Sequence, residues 1–211
     1  MNASVYLVSF LIIIFIVMIV SAVITFKITK KGLCEKVKLD ITPEDMKKLE
    51  DRINNFLKEN NLGTDQSIFE VAKVLKVEQG GVEPGLKDQG YLKECKNQKK
   101  VVVFKENLTE KERNFVFAHE IAHLINGDKI PVTRPVGRHK SKVEQLADYT
   151  AAALLMPRDT IYAYLENSKY RQASIKKRAA ILKELCKQYN VTELIALRRI
   201  EEVYVLEQNY K

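Results

Sequence analysis

The stretch FAHEIAHLING, Phe117 to Gly127, sets two imidazoles four residues apart and a carboxylate directly after the first. Residues i and i+4 share one face of a helix, one turn apart. His119 and His123 can therefore reach a single tetrahedral metal ion with bonds of about 2.0–2.1 Å. Zinc is the default ion for imidazole nitrogen. Glu120 flanks the metal position and can take a proton from an attacking water without itself being a ligand. A chain with three histidines produces HExxH by accident in roughly three cases per thousand. The competing reading is a pair of helix-face histidines with ordinary partners.

A catalytic zinc needs a third protein ligand and one open position. A third histidine six residues after the second is excluded, because position 129 is Lys129. The remaining histidine, His139, sits in a basic loop. Glu144 and Asp148 are better placed, at i and i+4 on the following helix. Glu144 has the longer side chain and suits the metal. Asp148, one turn on, suits the free ring nitrogen of a ligating histidine. A blander role for Glu144 is open, since Ser141-x-x-Glu144 also reads as a capping box. Against it, a carboxylate on a small, apolar face with Ala147 and Ala151 needs a partner.

These groups must be held by elements, and the elements are legible in part. Thr109 and Glu112 form a capping box and Gly127 a stop, which predicts one helix carrying both histidines. KVEQLADYTAAALLMP is the next helix, closed by Pro157. Upstream, Thr42, Pro43, Glu44 and Asp45 start a helix whose Met46, Leu49, Ile53, Phe56 and Leu57 recur at helical spacing. A second helix runs through Ile68, Val71, Ala72 and Leu75, with Ser67 and Glu70 as its capping box. QGGVEPGLKDQG, residues 79–90, reads as loop and turn, and VVVF, Val101–Phe104, as a buried strand. Downstream, helices are expected at Thr160–Leu165, Ser174–Tyr189 and Val191–Val205.

The order strand, HExxH helix, then ExxADxxAxxLLMP resembles the ImmA/IrrE family of metallopeptidases. The matching residues are VVVF, His119–His123, and Glu144, Ala147, Asp148, Ala151, Leu154, Leu155, Met156 and Pro157. The resemblance covers roughly residues 65–206 and is tightest from 101 to 157. It implies that His119, His123 and Glu144 bind zinc (Zn2+), with Glu120 as general base and Asp148 supporting a ligand. It implies a site-specific protease of cytoplasmic proteins, often repressors. LKELCKQYNVTELIALRRIEEVYVL, Leu182–Leu206, is similar to the helix-turn-helix-like tail that often follows the LLMP element. Two features depart from the family: Thr150 stands where an aromatic is common, and an apolar segment precedes the core.

That apolar segment, Ala3 to Phe26, holds no charged residue. As a helix it would be about 36 Å long, enough to cross a bilayer core of about 30 Å. A cleaved signal peptide fits poorly: no Lys or Arg precedes the run and no A-x-A site follows it. Lys27, Lys30, Lys31, Lys36 and Lys38 follow directly, so the positive-inside rule puts the N-terminus outside and the rest in the cytoplasm. The net charge of +8 is spread along the chain. That suits an anionic inner leaflet near the span better than a nucleic-acid face. Cys34, Cys95 and Cys186 are odd in number and widely spaced, as reduced thiols are.

The expected fold is α+β: a mainly helical zincin-like domain with a small sheet beside the HExxH helix, after one transmembrane helix. The expected divisions are an anchor at 1–27, a juxtamembrane segment and amphipathic helix at 28–64, a metallopeptidase core at 65–157 and a helical tail at 158–211. The expected function is a membrane-anchored zinc endopeptidase acting on a cytoplasmic regulator. Tyr149, Tyr162 and Tyr164 are candidates for stabilising an oxyanion. Two alternatives stay open. One is a metal-binding module without catalysis. The other is a DNA-binding regulator that reads through Arg198 and Arg199.

Overall fold

The computed structural model describes residues 41–95, 99–129 and 141–210. The Ala3–Phe26 span, Cys34, His139 and most of the basic loop before Ser141 lie outside the described residues. Among the described residues, no helix is long and apolar enough to cross a membrane. Residues 39–211 belong to one compact unit.

Seven α-helices and three strands follow in the order α1 (Pro43–Glu59), α2 (Ile68–Val74), β1 (Val77–Glu83), β2 (Gly90–Glu94), β3 (Lys100–Lys105), α3 (Glu110–Asn126), α4 (Lys142–Leu155), α5 (Arg158–Asn167), α6 (Ile175–Gln188) and α7 (Glu193–Asn209) among the described residues. The architecture is α+β and mainly helical, as expected. A 3-10 turn at Tyr170–Gln172 links α5 to α6.

Local chemistry explains the starts of the helices. Thr42 accepts from the Asp45 N–H at 3.1 Å, and Asp45 accepts from the Thr42 N–H at 3.1 Å, so α1 opens on a reciprocal capping box with Pro43 in its first turn. Thr109 and Glu112 do the same for α3. The box expected at Ser67 does not form. The Ser67 side chain makes no cap bond, and Glu70 pairs instead with Lys73 at 2.6 Å. Helix α2 is short and half exposed, so its ends gain little from capping and the two charged side chains meet across one turn.

The sheet has order β1-β3-β2, with β1 parallel and β2 antiparallel to β3. The reading of residues 79–90 as loop is corrected here: strand β1 extends to Glu83. Its register slips between Gln79 and Val82, a bulge that accommodates Gly80 and Gly81, the residues that made the segment look like a turn. Strand β3 is central, with Val102 and Phe104 fully buried. Its inner face packs against Val116 and Phe117 of α3. At Gly90 a Cβ would meet Val116 Cγ1 at 2.5 Å and the Val103 carbonyl oxygen at 2.9 Å. Only glycine lets β2 lie this close to the helix that carries the histidines.

Two apolar clusters hold the unit together. The larger joins Met46, Leu49, Ile53 and Leu57 of α1 to the sheet, α3 and α4. The smaller gathers Met156, Ile161, Leu165, Ile181, Leu185, Val191, Ile200 and Val203. Helix α7 serves both, since Leu206 lies in the first and Ile200 and Val203 in the second. Helix α1 therefore shares its core with the helices that carry the site.

Candidate metal centre

Helices α3 and α4 pack directly on one another. Ala118 and Ala122 of α3 and Ala147 and Ala151 of α4 are all fully buried. Such small side chains bring the two backbones close, so the longer residues beside them converge. Those residues are His119 and His123 from α3 and Glu144 from α4. All three are buried, and their ligand atoms lie within 4.8 Å of one another. His119 Nε2 is 3.1 Å from His123 Nε2 and 3.2 Å from Glu144 Oε2, and His123 Nε2 is 3.6 Å from Glu144 Oε1. A tetrahedral ion with bonds of about 2.0–2.1 Å spaces its ligand atoms about 3.3 Å apart. The three separations bracket that value.

The far side of each ring explains why the near sides face one another. His119 Nδ1 lies 2.9 Å from Asp148 Oδ1, and His123 Nδ1 lies 2.8 Å from Asp128 Oδ2. An ionised carboxylate only accepts, so each Nδ1 carries a hydrogen and Nε2 is the nitrogen that each ring turns inward. Two lone pairs and a carboxylate then converge on one point. Acceptors crowded in this way repel unless a positive charge sits among them. A proton is one solution. Burial alone would lower the pKa of His119, but hydrogen bonds to Asp148 and Glu144 and the nearby charge of Glu120 outweigh it and raise it to about 9. A divalent metal is the other solution and competes for the same lone pairs. The donor set, two imidazoles and one carboxylate, fits zinc.

Glu144 carries both of the roles open to it in part. Its backbone N–H is capped by Ser141 Oγ at 3.3 Å, while its carboxylate faces the imidazoles. Glu120 is buried at 3% exposure on the same turn as His119. Thr150, the departure from the family pattern, is fully buried and donates to Asn126 Oδ1 at 3.0 Å, which ties α4 to the end of α3. Arg52 of α1 donates to the carbonyl of the same Asn126 at 2.9 Å.

Asp128 escaped the sequence reading, because DKIP looks like the start of a loop. The turn before it is what delivers it. Gly127 has φ 78°, its N–H donates to the Leu124 carbonyl at 3.1 Å, and the Asp128 N–H donates to the His123 carbonyl at 2.9 Å. That bond pair is a Schellman turn, which folds the residue after the glycine back along the helix end. The usable signal was Gly-Asp directly after the HExxH helix.

The tyrosines expected near the reaction are occupied elsewhere. Tyr149 is fully buried and donates to Glu50 Oε1 at 2.7 Å; Tyr164 donates to Glu184 at 2.7 Å; Tyr162 packs on the smaller cluster. The arginines considered for DNA reading also turn inward. Arg199 is fully buried, donating to the Met156 carbonyl at 2.9 Å and to Glu50 at 2.8 Å. Arg198 donates to Glu202 at 2.8 Å and to Asp148 at 3.2 Å.

A mainly helical α+β unit with HExxH on one helix and a facing glutamate on the next is the architecture of a zinc metallopeptidase-like protein. The family model described as Peptidase_M78, IrrE N-terminal-like domain, matches residues 82–201, more than half of the chain, and the chain belongs to that family. Among solved structures, it is similar to a Mycobacterium tuberculosis transcriptional regulator at 17% identity and a TM-score of 0.44. That match covers 72% of this chain but only 46% of the other, so this chain spans less than half the length of that relative. No curated protein matches.

Proposed function

We propose that this protein is a zinc-dependent endopeptidase, held at a membrane by Ala3–Phe26 with its folded unit on the cytoplasmic side. We assign His119, His123 and Glu144 as the metal ligands, Glu120 as the general base, and a cytoplasmic regulatory protein, such as a transcriptional repressor, as the substrate. The observation that carries the reading is the convergence of three side chains, with donor atoms 3.1, 3.2 and 3.6 Å apart and a carboxylate beside the far nitrogen of each ring. The peptidase family supports the reaction class.

Zinc, when bound, supplies Lewis acidity toward water and toward the peptide carbonyl. The chain's own residues do the rest. Glu120 accepts a proton from the attacking water and passes it to the leaving amine. Asp148 and Asp128 keep each imidazole in the tautomer that presents Nε2. Glu144 brings a negative charge, which leaves a divalent site with a net charge of +1.

The test is a census of new protein N-termini in cells that express the full chain or its Glu120→Gln variant. Wild type generates at least one cytoplasmic neo-N-terminus that the variant lacks. Identical sets would refute peptidase activity and leave a metal-binding module.

A further inference from the structure

Asp148 touches His119 with one oxygen and Arg198 with the other. Oδ1 lies 2.9 Å from His119 Nδ1, and Oδ2 accepts from Arg198 Nη1 at 3.2 Å. Arg198 lies 50 residues downstream, on α7, outside the HExxH and LLMP elements. Its own position is fixed. Arg198 Nε donates to Glu202 Oε1 at 2.8 Å, one turn along the same helix. Glu202 is fully buried and sits 3.8 Å from Arg199 Nη1. Arg199 is in turn fastened to the Met156 carbonyl and to Glu50 of α1.

Such an arrangement is costly for stability alone. Taking several charges out of water is costly, and well-packed apolar residues often stabilise as much or more. The geometry offers another reason for it. A guanidinium is a planar fork with fixed donor directions, so it holds the plane of a carboxylate rather than merely attracting its charge. The plane of Asp148 decides where the Nδ1–H of His119 points, and so where its Nε2 lone pair points.

We infer that Arg198 is a positioning residue of the zinc site, acting through Asp148 to aim His119, with Glu202 holding Arg198 in place. This rests on the assignment of His119 as a zinc ligand. It places the site's third layer of support on the C-terminal helix, which the sequence suggested as a DNA reader.

The test compares zinc affinity, measured by chelator competition, and thermal stability in the full-length protein. Arg198→Gln should weaken zinc binding about 10-fold or more, within the 10–100-fold range for partners beyond the ligands. Asp148→Asn should do the same. The double variant should bind no more than about twofold more weakly than Asp148→Asn alone, because Arg198 works only through that residue. Leu165→Ala, in the smaller apolar cluster, should lower the melting temperature and leave zinc affinity unchanged. If Arg198→Gln does not fold, Arg198→Lys keeps the charge without the fork and should still bind zinc several-fold more weakly at near wild-type stability. Affinity within twofold of wild type in the folded Arg198 variants overturns the inference. So do multiplicative losses in the double variant, or an equal loss in Leu165→Ala. Wild type that binds no zinc would overturn the ligand assignment itself, a result distinct from any difference among variants.

Discussion

At the scale of single residues, His119 couples the site to pH. Its pKa without metal lies near 9, against 6.5 unperturbed. A base with a raised folded pKa contributes stability in full below the unfolded value, and that stability is lost as pH rises through the folded one. The window is therefore about pH 6.5 to 9, and the size is on the order of 3 kcal/mol. Zinc requires the deprotonated ring, so its affinity moves the other way and rises across that window. Thermal melts of chelator-treated and zinc-loaded protein should diverge as pH rises. Curves that stay parallel would count against the carboxylate-held imidazole.

Gly127 makes a second prediction at this scale. Nothing lies within 4 Å of a Cβ added there, yet its φ is 78°. Gly127→Ala should cost about 1 kcal/mol from backbone strain alone, read by denaturant melts. Asp128→Asn, which keeps the turn but loses the charge on His123, should weaken zinc binding 10–100-fold with little change in stability. The contrast separates the turn from the group it carries.

At the scale of elements, α7 is bound to the rest of the unit by charge as well as by apolar contact. Arg199→Met should cost about 3–5 kcal/mol in a chemical denaturation curve, since it takes the buried guanidinium from beside Glu50 and Glu202 and leaves Glu50 with Tyr149 and Glu202 with Arg198 alone. Leu194→Ala, on the same helix but 66% exposed, should change stability by less than about 0.5 kcal/mol. Equal costs would mean that α7 is held in some other way. Sequence alone could not show this. Two adjacent arginines after a turn look alike whether they face DNA or buried carboxylates, because the partners that decide it, Glu50 for Arg199 and Asp148 for Arg198, lie 149 and 50 residues away. Helices α3 and α4 were legible for the opposite reason. Their caps, apolar spacing and converging histidine and carboxylate positions are all local to one stretch of chain. Strand β1 was hidden because its Gly80 and Gly81, which form a bulge, look like a turn. Asp128 was hidden because only the left-handed turn at Gly127 returns it to the helix.

At the scale of the whole molecule, the proposal joins a folded unit over residues 39–211 to an apolar segment ahead of it. Deleting Ala3–Phe26 should move the protein from the membrane pellet to the soluble fraction while zinc binding persists, because the ligands and their supports all lie beyond residue 41. A protein that stays in the pellet, or never entered it, would contradict the anchor. In cells, tethering should restrict cleavage to substrates that reach the membrane face, so the truncated form should alter the set of neo-N-termini rather than abolish it.

The central claim is that His119, His123 and Glu144 together hold one zinc ion. Native mass spectrometry of the full-length chain, purified without added chelator, tests it most directly. The account predicts one zinc per chain in wild type and in Glu120→Gln, and loss of that zinc in His119→Ala, His123→Ala and Glu144→Ala. Wild type without zinc, or zinc retained at full stoichiometry in those three variants, would contradict it.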